Sequence, residues 1–352
     1  MAKQRIYSLD TVRGISALLI VFYHVSVWQH RSLVDGGTYF TQKLGLYMVE
    51  LFYMLSGVSM GYTYFEKFNS LKVADLKIFF LKRYFRIAPL YFLLCLLSIW
   101  VYSRVFNLDL LISLLANFTL LFGIVDPQLS LITGGWSIGV EFFFYLFFPF
   151  MIFWSNRSKA GNFLMLFLLI GCLVVIAIWI KPYLKLASAW KIYCYPLNHF
   201  LFFWLGVLMA KVSAVKKHWG YLLIGLLLFV FSGYISYTVK DHTVALVTGL
   251  NRVLLSVSVF LIVFYFYLKV KFKAEWLNHW SDWLASISFS VYLLHPFIYF
   301  YLNKYLVQHK VKFEFWQILL IVLLSSVLLG RLVYYYEKYF VKIGNKLAAR
   351  MH

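Results

Sequence analysis

Apolar runs long enough to cross a lipid bilayer follow one another through almost the whole chain, and that succession restricts the fold more than any other feature. A hydrocarbon core of ~30 Å asks for about 20 apolar residues in a helix. Inside it every backbone N–H and C=O must be paired within the protein, so only helices or closed barrels can span. The runs lie at about 11–28, 44–65, 87–102, 110–125, 138–154, 162–180, 198–210, 220–238, 244–268, 284–303 and 316–336. Basic or Gly/Pro-marked connections separate them. The predicted fold is all-α, a polytopic membrane helix bundle. With 63% hydrophobic and 21% aromatic residues, no soluble domain is visible.

Lys and Arg outnumber Asp and Glu by 33 to 13. In a membrane chain this excess reports which loops face the cytoplasm, rather than nucleic-acid binding. The stretch 67–86 holds Lys67, Lys72, Lys77, Lys82, Arg83 and Arg86, so it is placed in the cytoplasm with the Lys-rich C-terminal tail. Both ends inside require an even number of crossings. The run 110–125 is short, contains Asn117 and leads into VDPQLSLITGGWS without a basic residue. It is therefore read as re-entrant or interfacial, leaving about ten transmembrane helices. In that arrangement twice as many Lys and Arg fall in cytoplasmic as in outer segments, with Arg13, Arg252 and Arg331 inside apolar runs. The opposite orientation reverses the bias. No linker, low-complexity tract or internal repeat interrupts the chain, so a single integral membrane domain over 1–352 is expected, with no appended soluble domain. Cys95, Cys172 and Cys194 are scattered and form neither a disulfide framework nor a metal site. The N-terminus lacks a small-residue cleavage site and is read as the first membrane helix rather than a signal peptide.

That first helix, LDTVRGISALLIVFYHVSVW, carries Arg13 and His24. Eleven residues is almost three turns, which puts both side chains on one face and roughly 16 Å apart along the axis. Ionisable residues at such depth are costly and usually functional. The orientation places Arg13 at the inner end, His24 towards the outer end, Glu50 and Glu141 in the outer halves of their helices, and Arg83 and Arg86 at the cytoplasmic mouth.

The first helix, VELFYMLSGVSMGY at 49–62, KRYFRIAPLY at 82–91, WSIGVEFFFYLFFP at 136–149 and SFSVYLLHPF at 288–297 together resemble acyltransferase family 3. The resemblance follows that order and spans nearly the whole chain. Members are membrane proteins that O-acylate surface polysaccharides, lipopolysaccharide, peptidoglycan and related acceptors, and the resemblance implies a multi-pass protein of a bacterial inner or cytoplasmic membrane. They commonly take acetyl groups from cytoplasmic acetyl-CoA. The resemblance puts the family's Arg-x10-His pair on Arg13 and His24, its Arg-x-x-Arg pair on Arg83 and Arg86, and its Trp-Ser-x-x-x-Glu element on Trp136, Ser137 and Glu141. One departure stands out: many members follow that Glu with a second acidic residue and a Gln, where this chain has Phe142 and Phe143. Some relatives add an SGNH-type hydrolase-like domain. Here the chain ends a few residues beyond its last helix, so any such partner, like other glycan-biosynthesis proteins, would be separate.

Acyl transfer from a thioester to a sugar hydroxyl needs a base, and histidine titrates in the right range, which assigns that role to His24. Glu141 is the carboxylate expected to orient the imidazole, with Glu50 in reserve. Arg83 and Arg86, helped by Lys82, suit the phosphates of an acyl-CoA donor, because guanidinium groups bind phosphate bidentately. Arg13 closes the same donor site, pairs with Asp10 or snorkels to the interface. Glu50, Trp136, Ser137 and His295 are candidates for the acceptor side. Each has a plainer reading: His24 as a packing histidine, Glu141 as a structural partner of Arg or Tyr, Arg83 and Arg86 as lipid anchors, and Trp136 in an aromatic belt. His295 either lines the site or satisfies backbone freed by Pro296. Arg252 snorkels outward or lines an acceptor channel. Ser137 lacks the G-x-S-x-G setting of a nucleophile. The expected function is membrane O-acetyl transfer to a glycan or glycolipid such as an exopolysaccharide or O-antigen, without a metal. A transporter of glycan or acylated precursor is the alternative, and it lacks the two-halves repeat. A glycan polymerase would need a larger outer loop, and a scaffold leaves the ordered motifs unexplained.

Overall fold

Runs of Leu, Ile, Phe and Val with few breakers become helices wherever the chain is described, because an apolar segment satisfies its own backbone only in that form. The computed structural model describes residues 5–31, 39–102, 104–181, 184–212, 215–232, 242–269 and 272–351. Among them lie α1 (Tyr7–Trp28), α2 (Phe40–Tyr64), α3 (Val73–Val101), α4 (Leu108–Thr119), α5 (Phe122–Val125), α6 (Trp136–Arg157) and α7 (Lys159–Trp179). They continue as α8 (Leu186–Tyr193), α9 (Pro196–Met209), α10 (Trp219–Phe231), α11 (His242–Leu246), α12 (Gly249–Lys269), α13 (Glu275–Gln308) and α14 (Phe315–Ala349). The described residues hold no strand. The polytopic helical bundle read from the sequence is the fold observed.

Eight helices, α1, α2, α3, α6, α7, α12, α13 and α14, are long and apolar enough to cross a bilayer. The pair α8 and α9 makes a ninth span if its 47° bend lies within one crossing. Helix α10 supplies 13 residues of the run expected at 220–238, whose last part, 233–238, lies outside the described residues. The run at 110–125 does not form one span. Helix α4 has 12 residues, ends at Leu120 with φ +60°, and turns into the four-residue α5. Asn117 supports this irregular backbone: its side chain accepts from Tyr91 Oη at 2.6 Å and Leu131 N at 3.2 Å and donates to the Ser113 and Leu129 carbonyls.

The basic segments are helical in large part. Helix α3 begins at Val73, so Lys77, Lys82, Arg83 and Arg86 lie within it, with Ile78 and Phe79 burying the apolar side of this amphipathic start. The Lys-rich tail is likewise helical, as the last part of α14, to Ala349.

Contacts between helix ends fix their directions. Arg5 pairs with Asp282 near the start of α13, and Ser8 Oγ donates to the Phe266 carbonyl near the end of α12. Asn156 near the end of α6 donates to the Phe65 carbonyl after α2, and Arg86 in α3 meets Glu337 in the last part of α14. The described chain therefore starts and finishes at the same end of the bundle. The exposed tryptophans fall at helix ends in two sets, Trp154, Trp219, Trp276 and Trp280 at that end and Trp100, Trp179 and Trp316 at the other. This is the aromatic-belt pattern of a bilayer protein.

At the centre α2 packs along α9, and α1 along α13. Small residues permit the first crossing: a Cβ on Gly57 would meet the Phe203 carbonyl oxygen at 1.9 Å, and one on Gly206 the Met54 carbonyl oxygen at 2.1 Å. Lys43, fully buried in α2, donates to the Phe229 and Val230 carbonyls, satisfying the end of the short α10. Helix α2 is the most enclosed span, whereas α7 and α14 are the most exposed to lipid.

Candidate functional site

Spacing along four helices brings polar groups to one cavity. Ser137, Glu141 and Tyr145 recur every four residues on α6, and Ser56 and Ser59 share a face of α2. Arg83 and Arg86 lie three apart on α3, and Ser288 and Tyr292 four apart on α13. With Arg13 of α1 they line a cavity of about 170 Å3 whose apolar walls include Val49, Phe52, Ile87 and Ile138. A second cavity of about 320 Å3, lined by Arg5, Asp10, Arg13, Ser59 and Tyr62, adjoins it. Arg13 and Ser59 border both, so the polar space extends from the core of the bundle towards the end that carries the start of the described chain.

The charges in the main cavity are unbalanced. Three guanidinium groups face one lining carboxylate, Glu141, which accepts from Tyr145 Oη at 2.5 Å; that hydroxyl also meets Ser56 Oγ at 2.8 Å. Arg86 meets Glu337 at 3.4 Å, and Glu337, buried in α14, also accepts from Ser290. Among the described residues neither Arg13 nor Arg83 has an ion-pair partner, and Arg83 Nε is buried without a hydrogen bond. Asp10, an expected partner of Arg13, pairs with Arg5 at 2.7 Å. Such a cavity is built to receive an anion. Lys82 does not line it.

Its inner wall is a hydroxyl cluster. Gly134, with φ +78°, turns its carbonyl towards Tyr292 Oη at 2.8 Å and Ser137 Oγ at 2.9 Å, and the two hydroxyls meet at 2.9 Å. Only glycine holds that backbone without strain, and a Cβ there would press on the tyrosine hydroxyl at 2.8 Å. His295 lies behind this wall, its ring centroid 6.2 Å from that of Tyr292, and its Nε2 is 3.0 Å from Nδ1 of His24. Trp28 stacks on both imidazoles, at 5.2 and 5.9 Å, and Tyr299 backs the indole at 4.6 Å.

The structure thus gathers Arg13, Arg83, Arg86, Ser137 and Glu141 in one cavity and sets His24 with His295 beside it. It rearranges the rest. The expected His24–Glu141 pair does not form: no hydrogen bond among the described residues joins them, because α13 rather than α6 faces His24. Glu50 is fully buried away from the cavity, in an ion pair with Arg252 and 3.4 Å from His199 Nδ1. Arg252 therefore does not snorkel; it is fully buried and also donates to the carbonyl and side chain of Asn198 at 3.2 Å. Trp136 is buried against Trp190, Tyr193 and His199 rather than exposed in an aromatic belt.

Several site residues escaped the sequence reading. Tyr145 and Tyr292 were detectable in principle, one turn from Glu141 and three residues before His295. Glu337, in the basic aromatic run YYYEKYF, and His199 gave no local sign, since their partners sit on distant helices.

Compared with known proteins, residues 6–335 match a family model for an acyltransferase domain. No curated protein sequence and no solved structure matches the chain.

Proposed function

Because this chain belongs to the acyltransferase 3 family and is a multi-pass membrane acyltransferase, we propose that it is an O-acetyltransferase. In this reading it moves acetyl groups from acetyl-CoA to a hydroxyl of an extracytoplasmic or lipid-linked glycan, of exopolysaccharide or O-antigen type. The observation that carries the reading is the cavity with surplus guanidinium charge beside an imidazole pair. Arg13 and Arg83, with no carboxylate partner among the described residues, together with Arg86 suit the phosphates of a coenzyme A thioester, and the positive-inside bias supports a cytoplasmic location for their end of the bundle. Lys82, on the same helix but outside the cavity lining, is left as an auxiliary charge. The acceptor reaches the imidazoles from the opposite side, where Trp28 and Tyr299 offer aromatic faces.

In the reaction the acceptor oxygen attacks the thioester carbonyl as His24 takes the hydroxyl proton. The new C–O bond forms, the C–S bond breaks, and the thiolate leaves to become the protonated thiol of coenzyme A. Held on opposite sides of one base on α1, the two substrates meet without either crossing the membrane. Comparing glycans extracted from cells with and without the chain, after feeding labelled acetate or supplying labelled acetyl-CoA to their membranes, tests this. The expected result is chain-dependent, alkali-labile label on glycan, with fragmentation placing it on one hydroxyl. Uptake or export of unmodified glycan by the purified chain, with no label transferred, would contradict the proposal and support a transporter.

A further inference from the structure

Two imidazoles at hydrogen-bond distance share a single hydrogen when both are neutral, so the partners of their other nitrogens decide where every proton sits. The far end of this chain of bonds is a backbone carbonyl. Nδ1 of His295 lies 3.2 Å from the carbonyl oxygen of Val291 one turn earlier in α13, and a carbonyl can only accept. Nδ1 therefore carries the hydrogen, and Nε2 of the neutral His295 ring is bare. That nitrogen faces Nδ1 of His24 at 3.0 Å, so His24 donates from Nδ1 and its own Nε2 keeps the lone pair.

We infer that His295 is a positioning residue that holds His24 in the Nδ1–H tautomer, leaving Nε2 to take the proton of the acceptor hydroxyl. The inference rests on His24 being the base of the proposed transfer. It gives His295 the orienting task that a carboxylate performs in a Ser-His-Asp triad. The carboxylates expected for that task are occupied, Glu141 by Tyr145 and Glu50 by Arg252. An imidazole acceptor also keeps the resting pair uncharged, which suits a ring that is only 1% exposed within a helical bundle. The geometry serves both halves of the cycle. Once His24 is protonated at Nε2, its Nδ1 still donates to His295 and His295 still donates to Val291, so no ring has to flip. Trp28, stacked within 24° of His24 and 28° of His295, keeps the two ring planes in this relation.

The test pairs kinetics with spectroscopy on the full-length protein in nanodiscs. His295→Leu removes the acceptor and is expected to lower kcat on the order of 100-fold with the donor KM little changed. His295→Gln, whose amide oxygen can accept from His24 Nδ1–H, is expected to recover at least about tenfold of that loss. Nitrogen-15 spectra of histidine-labelled protein, assigned by difference with His24→Ala, should show His24 bare at Nε2 in the wild type and a shift towards Nε2–H in His295→Leu. A wild-type His24 protonated at Nε2 and bare at Nδ1 overturns the inference even if the leucine variant does not fold. So does a folded His295→Leu protein with unchanged kcat and tautomer, or a glutamine variant no better than leucine. Undiminished transfer by His24→Ala would instead remove the base assignment itself.

Discussion

The four arginines in or beside the core differ in what neutralises them, and their variants should differ accordingly. Among the described residues Arg13 and Arg83 face the cavity without a carboxylate partner, whereas Arg86 meets Glu337 and Arg252 meets Glu50. Arg83→Ala should raise the donor KM roughly 10- to 100-fold, the worth of a charged hydrogen bond of about 1.5–3 kcal/mol, with little change in the unfolding temperature. Steady-state kinetics with acetyl-CoA and thermal unfolding in detergent measure both. Glu50→Gln should do the reverse. It strands a fully buried guanidinium, a loss of about 3–5 kcal/mol, so the unfolding temperature falls before any specific kinetic defect appears. The cavity residues Arg13, Arg83, Arg86, Ser137 and Glu141 were legible in sequence through the motifs that resemble the family, each of which lies within one helix. Partners were not. Nothing in a single sequence says that α13 faces His24, or that α12 brings Arg252 to Glu50, because those meetings depend on how helices pack.

At the scale of elements, close backbone approach and polar brackets do what apolar burial cannot do in lipid. Gly206→Leu should push α2 and α9 apart, since even a Cβ would sit 2.1 Å from the Met54 carbonyl oxygen; overpacking of this kind costs about 1–3 kcal/mol or more. Asn117→Leu should loosen the segment around α4 and α5, leaving Tyr91 and the Leu129 carbonyl short of partners, with each unsatisfied buried group costing about 1–3 kcal/mol. Unfolding temperature reads the first, and faster amide exchange confined to residues 108–131 reads the second. Hydropathy located the spans and marked 110–125 as irregular, through its shortness and its asparagine. It cut α3 and α14 short, because their basic, amphipathic ends extend beyond the apolar core while continuing the same helix.

For the whole molecule, the contacts place the start and finish of the described chain at one end, which the proposed orientation, drawn from the basic excess, sets in the cytoplasm. Cysteines introduced at the exposed positions Lys72 and Lys342 should react with an impermeant thiol reagent only after permeabilisation, whereas those at Lys185 and Lys310 should react in intact cells. In the proposed reaction, donor and acceptor approach His24 from opposite faces of the membrane. Purified protein reconstituted with uniform orientation, with acceptor glycan enclosed on the Lys185 side and labelled acetyl-CoA supplied only on the Lys72 side, tests this directly. The expected result is label on the enclosed glycan with wild-type protein and none with His24→Ala. Label that appears only when both substrates share one face, or that persists undiminished in His24→Ala, would contradict it.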